Sequence, residues 1–146
     1  MAALSAAQVS YFTTGQIAAF LDNQIQSITT SGVKGLTVTQ IGKFASSQVS
    51  ALKATQINAL SATQIRAIAS ASVKDISTST VKDIEVQELR YLTVQQVFGL
   101  IEDQIKILST QQVGGLDASQ VAAIETTDLQ VLQSAQLGAM SATQVR

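Results

Sequence analysis

The sequence predicts an all-α solenoid, a superhelix of short helices with one helix for each eight-residue repeat. Three observations favour this fold: two apolar columns that recur every eight residues, a helix-capping pattern between them, and a composition rich in Ala and Gln. A β-solenoid is the alternative fold. The repeat fills residues 1–146 in one unbroken register, so we expect a single octapeptide-repeat solenoid domain without linkers.

Both apolar columns run the length of the chain without a polar exception. The first column comprises Val9, Ile17, Ile25, Val33, Ile41, Val49, Ile57, Ile65, Val73, Val81, Leu89, Val97, Ile105, Val113, Val121, Leu129, Leu137 and Val145. The second column lies three residues later and comprises Leu4, Phe12, Phe20, Ile28, Leu36, Phe44, Leu52, Leu60, Ile68, Ile76, Ile84, Leu92, Leu100, Leu108, Leu116, Ile124, Leu132 and Met140. Such strict recurrence indicates that both positions of each octad face the core.

A period of eight fits neither a continuous helix nor a plain strand. Eight residues of α-helix turn through about 800°, two turns and about 80° more, so an apolar stripe would spiral around the rod. Positions three apart would lie on opposite faces of one strand. A β-solenoid with a corner in each unit would resolve that conflict, but Ala and Gln are poor strand formers.

A capping signal precedes most octads and favours a new helix in each. Ser61 is followed three residues later by Gln64, and Ser141 by Gln144, which is the spacing of a capping box. Cap residues of the same kind are Ser5, Thr13, Thr29, Thr37, Ser77, Thr93, Ser109 and Asp117. Where Leu21, Ala45, Lys53, Ala69, Glu85, Ile101, Glu125 and Gln133 stand instead, we expect the helix to run on into the next octad or to begin with water as the cap.

The Gln that precedes the first apolar column has two interpretations. It is either a solvated helix residue or one of a row of aligned side chains that hydrogen-bond between neighbouring turns. The column departs from Gln at Gly32, Ser72, Thr80, Glu88 and Asp128.

One octad cannot fold alone. Its two large aliphatic side chains contribute about 2–3 kcal/mol each when buried, whereas ordering eight residues costs roughly 12 kcal/mol. Successive helices must therefore stack on one another. A further column of small residues, including Ala51, Ala59, Ala67, Gly99 and Gly115, allows the close approach that this stacking needs.

Composition excludes most chemistry and indicates a non-enzymatic protein. The chain has no His and no Cys, so it lacks the usual metal ligands and an imidazole base, and we expect no cofactor, metal site or catalytic residue. A net charge of -1 gives no electrostatic footprint for nucleic acid. No window approaches 18 consecutive apolar residues, so we expect no membrane insertion.

Most basic residues follow the first apolar column directly and are expected to form a stripe along one edge of the rod. They are Lys34, Arg66, Lys74, Lys82, Arg90, Lys106 and Arg146. The stripe is either a solvated face that keeps the solenoid soluble or a contact surface for an acidic polymer or a neighbouring filament.

The octad written at residues 60–65, L-S-A-T-Q-I, and again at residues 140–145 resembles the tandem octapeptide tracts, L-[ST]-x-x-Q-[IV], of large bacterial surface or secreted proteins. The resemblance covers the whole chain. It implies an extended, passive or adhesive role at the cell surface or outside the cell, and the residues themselves leave a cytoplasmic location open.

The two ends lack the atypical polar repeats that usually close a solenoid. Two functions follow. The first is a structural protein that assembles head to tail into a filament or extracellular fibre. Its expected interface is Met1, Leu4, Gln8, Val9, Leu137, Met140, Gln144 and Val145. The second is a monomeric spacer or adhesive scaffold segment of a bacterial surface protein that binds a protein or polysaccharide.

Overall fold

Each octad from residue 5 to residue 140 forms one short helix, and consecutive helices are joined by an extended cap residue. The fold is described from a computed structural model that covers residues 4–145. Within them the α-helices are α1 (Ala6–Ser10), α2 (Thr14–Ala18), α3 (Asp22–Ser27), α4 (Thr30–Lys34), α5 (Val38–Ile41), α6 (Ser46–Ser50), α7 (Ala54–Ile57), α8 (Ala62–Ala67), α9 (Thr78–Lys82), α10 (Val86–Tyr91), α11 (Val94–Phe98), α12 (Glu102–Lys106), α13 (Thr110–Gly115), α14 (Ala118–Ala122), α15 (Thr126–Leu129) and α16 (Ser134–Gly138). A 3₁₀ helix spans Ser70–Asp75 between α8 and α9. No strand occurs between residues 4 and 145, so the helical solenoid is confirmed and the β-solenoid alternative is wrong.

The capping boxes predicted from the sequence begin many of these helices. At α8 the backbone N–H of Ser61 donates to Gln64 Oε1 at 2.8 Å, and Gln64 N–H donates to Ser61 Oγ at 3.4 Å. The cap itself is extended, with φ -74° and ψ 163°, so the chain leaves one helix and enters the next at Ser61. Leu60 before the cap and Ile65 after it are both buried, which completes the hydrophobic staple.

Helices also begin where the cap side chain has no oxygen, so the first of the two alternatives, that such helices run on into the next octad, is wrong. Ala45 and Ile101 keep the other half of the box, because their backbone N–H groups donate to Gln48 Oε1 and Gln104 Oε1 at 3.0 Å. At these two caps the Gln side chain bonds to the cap without help from the cap side chain, whereas α10 and α15 begin with neither half of the box. Where Ala69 is the cap and Ser72 replaces Gln, the octad forms the 3₁₀ helix.

The two apolar columns form one continuous core. Every first-column residue from Val9 to Val121 is buried, and the second column is buried from Ile28 to Leu132 except for the half-buried Leu92. Near the ends the column residues become exposed to solvent: Leu137 is 47% exposed and Val145 is 64% exposed. The core thus runs along the axis of the solenoid, as the energetics of a single octad require.

Helices three octads apart pack side by side, as α1 does with α4 and α10 with α13. Side chains also bridge to the octad four before, since Gln40 donates to the carbonyls of Val9 and Phe12. Each helix therefore lies between the helices three and four octads earlier, and one superhelical turn contains between three and four octads.

The column of small residues lies where successive turns approach most closely. A methyl group on Gly35 would overlap the backbone of Ala6, and a Cβ on Gly99 would lie 2.5 Å from the carbonyl oxygen of Ser70. In both places the end of one helix meets the start of the helix three octads earlier. Glycine is required there because the partner is backbone and cannot move aside.

Ser61→Ala is expected to lower the free energy of unfolding by about 1 kcal/mol, because it removes the side-chain acceptor of one N-cap. Urea denaturation followed by circular dichroism measures the loss. Ser119→Ala, at an exposed position inside α14, is the matched control and should change stability by less than about 0.5 kcal/mol. Equal stability of Ser61→Ala and the wild type would show that the cap oxygen contributes nothing.

Candidate functional site

A ladder of buried glutamines joins successive turns of the solenoid. Gln104 is 0% exposed, and its side chain uses both ends of its amide. Its Oε1 accepts from the backbone N–H of Ile101 at 3.0 Å. Its Nε2 donates to the carbonyls of Val73 at 2.9 Å and Ile76 at 2.6 Å in the turn before. One side chain therefore caps its own helix and fastens it to the preceding turn.

The same arrangement recurs through the chain, and we call it the glutamine ladder. Its members are Gln40, Gln48, Gln56, Gln64, Gln96, Gln104, Gln112, Gln120, Gln136 and Gln144, all of them buried. Each Nε2 donates to the carbonyl 28 residues earlier, and each except that of Gln136 also donates to the carbonyl 31 residues earlier. The cap needs an acceptor and the carbonyls need a donor, so the amide orientation is fixed by its partners.

Of the two interpretations of the Gln column, the structure supports hydrogen bonds between neighbouring turns. The partners are backbone carbonyls and cap amides rather than other glutamines. Sequence reasoning identified the column but not these partners, because the 28- and 31-residue spacings follow from the number of octads in a turn.

The first three glutamines of the column form only the cap half of the ladder contacts within residues 4–145. The Oε1 atoms of Gln8, Gln16 and Gln24 accept from the N–H groups of their caps at 2.8–2.9 Å, as in the rest of the ladder. Their Nε2 groups have no hydrogen-bond partner among residues 4–145, because no turn precedes them there. Gln8 and Gln16 are exposed and Gln24 is half-buried. The first turn thus presents three donors already held in the ladder orientation.

The C-terminal end presents the matching acceptors. Three carbonyl pairs near the end of the described chain have no glutamine 28 or 31 residues later: Val121 and Ile124, Leu129 and Leu132, and Leu137 and Met140. Four pairs in the middle of the chain lack one as well, because Ser72, Thr80, Glu88 and Asp128 stand at the matching positions. A carbonyl oxygen accepts two hydrogen bonds, and the first of each pair already accepts the N–H three residues later, as Leu137 does from Met140 at 3.1 Å. Its second acceptor position is free for a glutamine Nε2.

The residues of the predicted assembly interface differ in their exposure to solvent. Leu4 and Met140 are half-buried, while Gln8, Leu137 and Val145 are exposed at the two ends. Val9 and Gln144 are buried inside the chain, where Gln144 donates to the carbonyls of Val113 and Leu116. Met1 lies outside the described residues. Gln16 and Gln24, which the sequence analysis did not select, belong to the same open end and could have been found from their shared column.

The basic residues lie in three rows rather than one. Because helices three octads apart are neighbours, Lys34, Lys82 and Lys106 share one row and Arg66 and Arg90 share a second. Lys74 lies in the third, and Arg146 is outside the described residues. All six described side chains are exposed. Arg66 Nε donates to the Tyr91 carbonyl at 3.2 Å, so this residue also joins two turns.

Two carboxylates stand at glutamine positions of the ladder. Burial raises the pKa of Glu88, the backbone amide of the same residue lowers it by a smaller amount, and the charge of Glu85 raises it further. The pKa of Asp128 is also raised, first by burial and then by the charge of Glu125. No group of three or more acidic side chains in the described chain is placed to hold a metal ion.

The fold and its ladder define an all-α solenoid repeat protein. A family model described as the ALTTAQ repeat matches residues 121–146. Within that stretch, residues 139–144 are A-M-S-A-T-Q, with the small, apolar, cap and Gln positions in the same order as in that description. No curated protein matches the chain. None of the helices within residues 4–145 has the length and apolar character needed to cross a bilayer.

Proposed function

We propose that this chain is a structural protein whose solenoids associate head to tail into a filament. The observation that carries the proposal is the complementarity of the two ends of the glutamine ladder. Within residues 4–145 the Nε2 groups of Gln8, Gln16 and Gln24 have no acceptor, and the three carbonyl pairs named above have no glutamine donor.

A second copy that continues the octad register matches these groups one to one. Gln8 then lies opposite the carbonyls of Val121 and Ile124, and Gln16 opposite those of Leu129 and Leu132. Gln24 takes the carbonyls of Leu137 and Met140 in the same way. The separations are the 31 and 28 residues found inside the chain, counted through the repeat.

Apolar surface supports the same register. Leu137 is an exposed first-column residue at one end, and Leu4 and Phe12 are half-buried second-column residues at the other. In the continued register Leu4 takes the second-column place that follows Met140. The first two octad positions of the second copy then coincide with those of the last two residues of the first copy, so one of these two-residue ends must leave the register. A contact of this kind joins different surfaces of two copies, so it extends into a filament where the rotation does not close a ring.

Electron microscopy and light scattering over a hundredfold concentration range test the proposal. We expect fibres of constant width whose mass rises with concentration. Gln16→Glu keeps an acceptor for the Thr13 cap amide but replaces the donor at the junction with an acceptor. It should raise the concentration needed for assembly by at least about tenfold, the equivalent of about 1.4 kcal/mol. Gln26→Glu adds the same charge at an exposed position in the same turn and is the control.

The outcomes are separable. A wild-type chain that stays monomeric over the whole range would contradict the filament and favour the spacer or adhesive scaffold segment of a surface protein. Assembly that Gln16→Glu and Gln26→Glu affect equally would show that copies join through another surface. In either case the extracellular setting implied by the octapeptide tracts remains part of the proposal and needs a separate localisation measurement.

A further inference from the structure

Glu88 occupies a ladder position without completing either half of the ladder. It is the third residue of α10, where a glutamine would accept from the backbone N–H of Glu85. That N–H donates instead to Asn58 Oδ1 at 3.1 Å. Glu88 Oε2 is buried and has no hydrogen-bond partner among the described residues. This position of the ladder, which we call a rung, is therefore occupied by a carboxylate that forms neither of the hydrogen bonds that a glutamine forms there.

The groups opposite Glu88 are acceptors. By the 28- and 31-residue spacing of the ladder, its rung faces the carbonyls of Leu60 and Ile57. An ionised carboxylate offers only acceptors, so it cannot bond to either carbonyl. Beside it lies an interior cavity of about 20 Å³, lined by Glu88 and otherwise by Ile, Val and Leu side chains, among them Ile57 and Leu89. The cavity has room for about one water molecule, but its apolar walls supply almost no partners for it.

Few charged groups surround this rung. α10 and its cap carry Glu85 and Arg90 in addition to Glu88. Of the helices packed against α10, α8 carries Arg66 and α13 carries no charged residue. α14, which bonds to α10 through Gln120, is capped by Asp117, and α7, opposite the rung, is capped by Lys53. Arg66 is exposed and donates from Nε to the Tyr91 carbonyl. No basic side chain reaches the buried oxygen, which has no partner within the described structure.

We propose that Glu88 is a proton-binding rung that closes the ladder at mildly acidic pH. A proton from solvent binds to Oε2 and turns it into a donor to the carbonyl of Ile57 or Leu60, the role that Nε2 plays at the glutamine rungs. As the pH rises through the pKa of Glu88, the carboxylate loses this proton to solvent and the rung opens. The inference concerns the middle of the solenoid and does not depend on filament assembly.

The direction of the pH effect follows from linkage. The pKa of Glu88 in the folded protein lies above the ordinary 4.5, chiefly because burial disfavours the charged form. A group with a raised folded pKa contributes stability that is fully present below the unfolded pKa and is lost as the pH rises through the folded pKa. Acidification from neutral pH toward 4.5 therefore stabilises the chain through this residue.

Glu88→Gln tests the proposal, because it installs a permanent donor. We expect its Tm to exceed the wild-type value by about 2–4 °C at pH 7.5, and the difference to shrink toward zero at about pH 4.5, where the wild-type rung is protonated. Glu102→Gln, which removes an exposed carboxylate from the first turn of α12, is the control and should show no such pH-dependent gain. A Glu88→Gln gain no larger than that of Glu102→Gln, or one that stays constant with pH, would overturn the proposal.

A second measurement uses the wild-type protein alone. Carbon-detected NMR titration of the Glu88 carboxyl, assigned by its loss in Glu88→Gln, should give a midpoint above 4.5. A midpoint at or below that value would also contradict the proposal, whatever the two variants do to stability.

Discussion

Ile65→Asp is expected to unfold the solenoid or to destabilise it by more than about 3 kcal/mol. Ile65 is 1% exposed and lies in the first apolar column near the middle of the chain. The substitution removes about 1.5–3 kcal/mol of apolar burial and places an unpaired carboxylate in the core, where no charge partner is available. In a stacked solenoid each octad packs against its neighbours, so the loss of packing extends to the octads on both sides.

Thermal and urea denaturation followed by circular dichroism measure this loss. Ile107→Asp is the matched control: it makes the same change at an isoleucine that is 40% exposed, where the new carboxylate remains hydrated. We expect it to cost much less than Ile65→Asp. If the two variants were equally stable, the first column would not form a buried core.

The helical repeat was predictable because its determinants are local. Each helix starts where a cap residue and a Gln three residues later supply the first hydrogen bonds, as at Ser61 and Gln64. The apolar positions that flank the cap then face the same side. These signals lie within eight residues, so the sequence alone identified the unit, its boundaries and its buried columns.

The number of octads in a superhelical turn was not predictable in this way. It depends on the angle between successive helices, which is set by the extended backbone of each cap, for example φ -68° and ψ 159° at Thr13. A small change in that angle accumulates from octad to octad, and the residue types at the cap do not specify it. The contacts between turns, including the carbonyl partners of the ladder glutamines, could not be predicted for the same reason.

In the candidate site, some residue positions could be predicted from the repeat and others depended on the superhelical turn. The sequence placed Gln8 at a free end but also selected Val9 and Gln144, which the structure buries. It likewise placed Lys74, Lys82 and Arg90 on a single edge, although three consecutive octads point in different directions around the axis. Position in the repeat gives the role of a residue within its octad, whereas the turn decides which octads are neighbours.

Gln104→Ala is expected to lower the free energy of unfolding by about 3 kcal/mol. The variant leaves the Ile101 N–H and the carbonyls of Val73 and Ile76 without the partners that Gln104 supplies. A buried polar group left without a hydrogen bond costs about 1–3 kcal/mol. Gln111→Ala, at an exposed position of α13, is the control and should cost less than about 0.5 kcal/mol.

Gln104→Glu separates the two functions of the rung. Glutamate keeps an acceptor for the Ile101 N–H and loses only the donor to Val73 and Ile76, so it places a carboxylate opposite two carbonyls, as Glu88 does at its own position. We expect urea denaturation at pH 7.5 to show a loss of at least about 1 kcal/mol, and a smaller loss under mildly acidic conditions. If Gln104→Glu matched the wild type at pH 7.5 while Gln104→Ala did not, the glutamines would act as caps alone. The bonds between turns would then contribute nothing to stability. The Nε2 groups of Gln8, Gln16 and Gln24 would in that case give no support to head-to-tail assembly.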